Sequence, residues 1–142
     1  IIRNLKAGYP ALTVWQNETK MTAKQKLYTE TWLGRRRYLP NIRSDNWGLQ
    51  SFAERCALNT PIQGTAADIL KLAIVRILEG LPSRPWLRPI LQIHDELVVE
   101  IAPGEGDQVT ELVRNAMEHA VDLAVPLDVS CGIGSDWQLA AH

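Results

Sequence analysis

The chain has 142 residues, of which 46% are apolar and 22% are charged, and its formal net charge is −1. These values suit one globular domain with a core of its own. No apolar run approaches the roughly 20 residues that a membrane-spanning helix needs, and the sequence shows no signal-peptide pattern. Because it starts with Ile1-Ile2-Arg3 and not with Met, we expect it to be cut from something longer.

The charge is divided unevenly along the sequence. Residues 1–43 contain nine Lys/Arg and two Asp/Glu, a net charge of +7, whereas residues 44–142 contain six Lys/Arg and fourteen Asp/Glu, a net charge of −8. Such asymmetry favours a polyanionic partner at the basic end, although an ordinary solvated surface gives the same pattern. Cys56 and Cys131 lack metal-type spacing, so we expect two free, mostly buried thiols in a reducing compartment, the cytoplasm.

The first third of the chain predicts a helix followed by a hairpin. Residues 3–25 favour a helix with a break or a start near Pro10. Residues 27–33 alternate as a strand does, Gly34 marks a turn, and residues 35–39 form the returning strand. The hairpin contains Arg35, Arg36 and Arg37, whose forked donors match phosphate oxygens.

Two helices are predicted next, and one polar line connects them. Ser44-Asp45-Asn46 is a start signal for a helix over 47–59, and a second helix runs over about 61–78, after a kink or restart at Pro61. The line consists of Arg55, Asn59 and Gln63, spaced four apart. Each also has a purely structural interpretation. Arg55 is then a surface arginine, Asn59 a cap at the break, and Gln63 the reciprocal cap in a Thr60–Gln63 capping box. The apolar residues expected to be buried are Leu49, Phe52, Ala53, Cys56 and Ala57 in the first helix, and Ile62, Ala66, Ile69, Leu70, Ala73, Val75 and Ile77 in the second.

A second hairpin, over about 88–101, has the charged tip His94-Asp95-Glu96. One carboxylate at a hairpin tip suits a hard divalent cation, but acidic residues are also common in turns for local reasons. Downstream, the sequence predicts an amphipathic helix over 105–124 and a last strand over 127–132. We expect the tail to pack on the sheet through Trp137.

Four stretches, in chain order, share the pattern of one family. Residues 29–40 read Thr-Glu-Thr-Trp-Leu-Gly-Arg-Arg-Arg-Tyr-Leu-Pro, and residues 53–68 read Ala-Glu-Arg-Cys-Ala-Leu-Asn-Thr-Pro-Ile-Gln-Gly-Thr-Ala-Ala-Asp. Residues 91–97 read Leu-Gln-Ile-His-Asp-Glu-Leu, and Val125-Pro126-Leu127 with the ending Trp137 to His142 completes the set. Together these motifs resemble the A family of DNA polymerases, the DNA polymerase I type, over nearly the whole chain.

The resemblance implies an α+β fold in which an antiparallel palm sheet has helices packed on one face. It further implies the C-terminal part of a polymerase domain, with residues 1–43 bordering the fingers and residues 44–142 in the palm. The implied partners are primer-template DNA, deoxynucleoside triphosphates and the remainder of the polymerase chain, and no membrane. The implied cofactor is Mg²⁺, with two ions in the intact active site.

The resemblance also implies roles for the residues of this sequence that match the family's motifs. Asp95 becomes the metal-binding catalytic aspartate, Glu96 its auxiliary neighbour, and His94 a residue near the primer terminus. The remaining implied contacts are to DNA: Arg55, Asn59 and Gln63 at the minor groove of the primer-terminal pair, and Arg35, Arg36 and Arg37 at duplex phosphates. Donors in the minor groove can check base-pair shape without choosing sequence, and phosphate contacts position the duplex without specifying it.

Two expected parts of the family pattern are missing from the sequence. These are the earlier Asp-Tyr-Ser motif with the other essential metal-binding aspartate, and the fingers helix whose Lys and Tyr hold the incoming nucleotide. Two-metal transfer needs carboxylates that bridge both ions, so we expect template-directed nucleotidyl transfer from the intact protein and inactivity from the isolated chain. The alternative is a non-catalytic DNA-binding module with an incomplete metal site. A metal nuclease is less favoured, because the other acids are scattered along helices.

Overall fold

The structure is a computed structural model that describes residues 7–80 and 83–140. It divides into two compact units, residues 1–68 and residues 69–142. Residues 3–6 of the predicted first helix lie outside the described residues. No helix within the described part of the chain is long and apolar enough to cross a membrane.

The first unit opens with helix α1, Pro10–Lys26. Pro10 occupies the first turn, where its missing N–H costs nothing, so the predicted helix start is confirmed. The helix ends at Leu27, which has a left-handed φ of 63° and donates its N–H to the carbonyl oxygen of Ala23. Lys24 and Lys26 lie in the last turn, where the helix dipole favours cations.

A short antiparallel hairpin follows, made of β1, Tyr28–Glu30, and β2, Arg36–Tyr38. Tyr28 lies opposite Tyr38 and Glu30 opposite Arg36. The strands are shorter than predicted because Thr31 closes the turn: its N–H donates to the carbonyl oxygen of Arg35 at 2.9 Å, and its Oγ1 accepts from the N–H of Arg35 at 3.0 Å. Gly34 has a φ of +87° in this turn, a conformation that glycine adopts at little cost.

Helix α2, Trp47–Asn59, has the predicted bounds. Asn46 caps it, since its Oδ1 accepts from the N–H groups of Gly48 at 2.9 Å and Leu49 at 3.2 Å. The predicted burial of Leu49 and Phe52 is wrong, because they are 46% and 58% exposed. Packing is confined to small residues in the last two turns of α2. The core of this unit consists of Ala23, Leu39, Ile42, Ala53, Cys56 and Ala57.

The chain passes through Pro61 without breaking the helix. Residues Thr60–Gly64 form one π-helical turn, which leads directly into helix α3, Thr65–Glu79. The predicted restart is therefore wrong, since the helical path continues. The predicted capping box is also wrong, because Thr60 Oγ1 donates back to the carbonyl oxygen of Cys56 at 2.9 Å. Pro61 has no N–H to place in an α-helical ladder, and a wider turn accommodates it.

The burial predicted for the helix after Pro61 is only partly confirmed. Leu70, Ala73 and Ile77 are buried. Ile62 and Val75 are 56% and 48% exposed, so their predicted burial is wrong. Ala66 is also exposed. Burial is therefore confined to the part of α3 that contacts the core of the second unit, around Ile77.

The second unit is organised around a hairpin of strands β3, Leu87–Ile93, and β4, Glu96–Ile101. The pairing is antiparallel, with a register irregularity between Pro89 and Leu91. Helix α4, Gly106–Glu118, packs against it. The core of this unit consists of Ile77, Leu87, Val109 and Val113, with Trp86, Leu97, Val99, Ile101, Leu112, Ala116 and Met117 partly buried around it.

The α+β class is confirmed, and helices pack on one face of this hairpin, since alternate residues of β4 enter the core. Among the described residues the strands form two separate two-stranded sheets rather than one.

The end of the second unit differs from the prediction. Helix α4 stops at Glu118, six residues early. The strand predicted over 127–132 is wrong: the N–H of Val129 donates to Glu118 Oε1 at 3.1 Å, and its carbonyl oxygen accepts from Arg114 Nε at 3.4 Å. Side chains of α4 thus replace a strand partner. Trp137 opens the short helix α5, Trp137–Ala140, and is 47% exposed, so the predicted packing on the sheet is also wrong.

Candidate functional site

The hairpin tip of the second unit presents three titratable side chains to solvent. Ile93 pairs with Glu96 at the end of the ladder, and His94 and Asp95 form the two-residue turn. His94, Asp95 and Glu96 are all exposed. His94 has a φ of 50°, a left-handed conformation that few residues other than glycine adopt and for which histidine is among the more tolerant. The tight turn therefore fixes the backbone that projects Asp95.

Asp95 has the chemistry of a metal ligand but lacks companions in this chain. Within the described residues its carboxylate makes neither an ion pair nor a side-chain hydrogen bond, so its oxygens are available to a hard cation such as Mg²⁺. No group of three or more His, Cys, Asp or Glu residues in the described part of the chain could hold a metal ion. The residues present therefore fit one part of a metal site, with other ligands to come from substrate, water or another segment.

In the first unit, a pocket of about 290 Å³ gathers most of the other predicted site residues. It is lined by Asn59 at the end of α2, by Gln63 in the π-helical turn, and by the arginines of the β1–β2 hairpin. The full lining is Thr31, Arg35, Arg36, Arg37, Asn59, Thr60, Gln63 and Gly64. The pocket is therefore rich in amide and guanidinium donors, which suit oxygen and nitrogen acceptors of a polyanion.

Arg55 does not line this pocket. Its Nη1 donates to Ser51 Oγ at 3.0 Å, and its guanidinium lies 5.9 Å from the centre of the Phe52 ring. The predicted line of side chains four apart therefore holds for Asn59 and Gln63 across the π-helical turn, whereas Arg55 is engaged one turn earlier along α2.

The three arginines of the hairpin have different surroundings. Arg35 Nε donates to Asp68 Oδ1 at 2.8 Å, and its Nη2 donates to the carbonyl oxygen of Gly64 at 3.0 Å. Arg36 Nε lies 3.4 Å from Glu30 Oε2, and its guanidinium lies 4.6 Å from the centre of the Tyr28 ring.

Their availability to an outside ligand differs accordingly. The electrostatic interaction with Tyr28, followed by the hydrogen bond and charge of Glu30, raises the pKa of the Arg36 guanidinium above its ordinary value. Arg37 is exposed and forms no ion pair with any described residue. Of the three, Arg37 has the guanidinium that is most available to an outside phosphate.

Sequence reasoning missed the residues that support this pocket. Asp68, Thr31 and Gly64 contact Arg35 or each other, and none was predicted as a site residue. One signal was available: Asp68 is the lone acid in the small-residue stretch that starts at Gly64, and a buried acid needs a cationic partner.

Residues 1–139 match the model of the family described as DNA polymerase family A. The chain is similar to DNA polymerase I of Mycobacterium tuberculosis (strain ATCC 25618 / H37Rv), with 51% identity over 121 residues, covering 84% of this chain and 13% of that protein. It is similar to the thermostable DNA polymerase I of Thermus thermophilus, with 41% identity over 130 residues, covering 92% of this chain and 16% of that protein.

A solved structure resembles the fold closely. It is the POL domain of Pol1 from M. smegmatis in complex with DNA primer-template and dNTP, with a TM-score of 0.90 and 41% sequence identity. The match covers 96% of this chain and 24% of that one. The chain thus spans between about 13% and 16% of the length of these curated relatives.

Proposed function

We propose, since this chain belongs to DNA polymerase family A, that the intact protein extends a DNA primer on a template. The observation that carries the proposal is the match over residues 1–139, which includes an exposed Asp95 at a tight hairpin tip. The reaction is template-directed 5′–3′ nucleotidyl transfer: the primer 3′-hydroxyl attacks the α-phosphate of a deoxynucleoside triphosphate, and pyrophosphate leaves.

In this proposal the hairpin tip is the catalytic part of the chain. Asp95 holds Mg²⁺ with its uncommitted carboxylate, and Glu96 is an auxiliary acid beside it. His94 lies near the primer terminus. When bound, Mg²⁺ lowers the pKa of the attacking hydroxyl and neutralises charge on the transferring phosphoryl group. Because Asp95 supplies one carboxylate, the second metal-binding aspartate comes from the remainder of the polymerase chain.

The pocket of the first unit is the DNA-contacting part in this proposal. Asn59 and Gln63 donate to the acceptors that all base pairs present in the minor groove, which checks pair geometry without reading sequence. Arg55 joins them from the preceding turn of α2. The exposed Arg37, together with Arg36, contacts duplex phosphates, a role supported by their exposure on a hairpin in the basic part of the chain. The two free cysteines support a cytoplasmic location.

A second candidate is a DNA-binding module without catalysis. It is favoured by one observation: no cluster of three metal-ligating side chains exists among the described residues. Such a protein would use the same donors to hold primer-template DNA, and its hairpin tip would be an acidic turn.

Primer extension by the purified full-length protein separates the two candidates. We expect labelled primer to lengthen on its template when all four deoxynucleoside triphosphates and Mg²⁺ are present, and to stay unextended when the metal is chelated. Binding of primer-template is measured in the same samples by fluorescence anisotropy. Tight binding without extension would support the DNA-binding module and contradict the polymerase proposal.

A further inference from the structure

We infer that Arg35 is a positioning residue that holds the π-helical turn carrying Gln63, and that it does not contact DNA phosphates itself. The inference rests on the proposed function, in which Gln63 donates to the minor groove. It assigns different roles to neighbouring arginines of one hairpin.

The guanidinium of Arg35 bridges the exit of the π-helical turn. Its Nη2 donates to the carbonyl oxygen of Gly64, the last residue of that turn, at 3.0 Å, and its Nε donates to Asp68 Oδ1 at 2.8 Å. One planar side chain thus joins two points four residues apart on the helical path. A guanidinium fork can do this because its donors are rigidly spaced, whereas a lysine ammonium is a single point charge.

Burial of Asp68 prevents Arg35 from leaving this bridge at low cost. Asp68 is only 9% exposed, and its Oδ2 has no hydrogen-bond partner among the described residues. Its carboxylate therefore depends on Arg35 for compensation. Removing one partner of such a pair leaves an uncompensated buried charge, which is strongly unfavourable. A swing of Arg35 toward a DNA phosphate would create that situation.

Further contacts between the hairpin turn and the helical path accompany this bridge. A Cβ added at Gly64 would lie 2.7 Å from Thr31 Cγ2, so the turn and the π-helical segment already touch where glycine stands. The N–H of Trp32 donates to Thr65 Oγ1 at 2.9 Å. These contacts fix the backbone on the C-terminal side of Gln63, whose own side chain is exposed to the pocket. The bridge therefore holds the backbone from which the Gln63 side chain projects into the pocket.

The test measures whether Gln63 still recognises its acceptor when the bridge is lost. In the full-length protein, single-turnover extension is compared for a primer ending in guanine and one ending in 3-deazaguanine, which lacks the minor-groove N3 acceptor. For the wild type we expect about tenfold slower extension of the 3-deazaguanine primer, the size expected for one lost hydrogen bond that leaves its donor unpaired. Gln63→Ala should slow extension of the normal primer and abolish this difference.

Arg35→Lys keeps the positive charge and removes the fork, so it should behave as Gln63→Ala does and show less than a twofold difference between the primers. Arg37→Lys is the matched control, with the same replacement in the same hairpin. We expect Arg37→Lys to keep the tenfold difference. The double variant Arg35→Lys with Asp68→Asn lacks the bridge without leaving a buried carboxylate uncompensated, which protects folding, and it should also lose the difference.

The measurements distinguish failure of the positioning role of Arg35 from failure of the proposed function. The positioning role would be overturned if Arg35→Lys and the double variant both kept the full tenfold difference while Gln63→Ala lost it. That result would leave the proposed function intact. A wild-type protein that extends primers but does not distinguish guanine from 3-deazaguanine would overturn the role of Gln63 and this inference with it. A wild-type protein that extends neither primer would contradict the proposed function itself.

Discussion

Lys24 Nζ lies 2.7 Å from Glu54 Oε1 and ties the last turns of α1 to the middle of α2. Lys20 reaches the other oxygen of the same carboxylate, Oε2, at 3.0 Å. The hydrogen bond from Lys24, followed by that from Lys20, lowers the pKa of Glu54 below its ordinary value of 4.5. A group whose pKa is lowered by folding stabilises the folded state above its ordinary pKa and loses that contribution as the pH falls through the folded value.

We therefore predict that Glu54→Gln lowers the free energy of unfolding of the chain at pH 7 by about 1 kcal/mol, the upper end of the range for partly exposed ion pairs. The difference in free energy of unfolding between the variant and the wild type should shrink below pH 4.5. It should vanish once Glu54 is protonated in both the folded and the unfolded state. Urea unfolding at pH 7 and at about pH 3 measures it. Glu18→Gln, on the exposed face of α1, removes the same charge without an ion pair in the described residues and should change little.

A second prediction concerns the core of the second unit. Ile77 is 2% exposed and belongs to the cluster with Leu87, Val109 and Val113. Ile77→Ala should lower the free energy of unfolding by about 2 to 5 kcal/mol, because it removes buried carbon atoms and leaves a cavity. Val75→Ala on the same helix, where the side chain is 48% exposed, is the control and should change it by less than about 0.5 kcal/mol. Equal effects would mean that α3 buries a different face.

A third prediction separates Asp95 from Glu96 in the full-length protein. Asp95→Asn keeps the shape of the side chain but removes the charge that binds metal. Since metal stabilisation of a transferring phosphoryl group contributes several kcal/mol and each 1.36 kcal/mol is about tenfold, single-turnover extension should fall by several orders of magnitude. Glu96→Gln should cost much less, because Glu96 pairs with Ile93 in the ladder while Asp95 lies in the turn.

Thermal unfolding should be unchanged by either replacement, because both side chains are exposed. Equal losses of activity in the two variants would contradict the assignment of one primary ligand. Near-normal activity of Asp95→Asn would mean that the acidic tip is only a turn.

A fourth prediction concerns the salt dependence of duplex binding. Replacing the exposed Arg37 by Ala should lower the slope of log affinity against log salt by about one, the change expected for one lost phosphate contact. Arg35→Ala should leave the slope close to the wild-type value, because Arg35 is already paired with Asp68. A titration of labelled duplex at several salt concentrations measures both. If Arg37→Ala does not change the slope, Arg37 is only a solvated surface residue.

A fifth prediction concerns the chain by itself. We expect the purified 142-residue chain not to extend a primer, because Asp95 alone supplies too few protein ligands to hold two metal ions in place. Adding the remainder of the polymerase as a separate polypeptide should restore extension. Robust Mg²⁺-dependent extension by the chain alone would show that its own residues complete the metal site.

The elements with strong local signals could be predicted from the sequence. Pro10 and the Asn46 cap predicted the starts of α1 and α2, and the branched apolar residues on both sides of Asp95 predicted the hairpin, all close to the observed positions. In each case one residue type has a conformational preference that needs no tertiary partner. The position of the hairpin tip therefore follows from the sequence, while the roles of its residues stay predictions.

The misses depend on contacts between segments that are distant in the sequence. Pro61 suggested a restart with a cap, yet the helix continues through a wider turn that the hairpin supports from the side. Residues 127–132 have the composition of a strand, but the α4 side chains Arg114 and Glu118 bind the backbone groups of Val129. Neither outcome can be predicted from local periodicity, because each depends on which distant segment binds the backbone groups in the folded chain.

The π-helical turn makes the number of residues between Asn59 and Asp68 as important as their identity. Each residue of an α-helix advances the path by about 100°, so a deletion that converted Thr60–Gly64 to a regular turn would rotate Asp68 by about that angle away from Arg35. A substitution at the exposed Ile62 leaves this phase unchanged, whereas removal of Ile62 does not. Insertions and deletions in this stretch are therefore more damaging than replacements, and a sequence alignment with a one-residue gap here would indicate a protein whose hairpin no longer supports its helix.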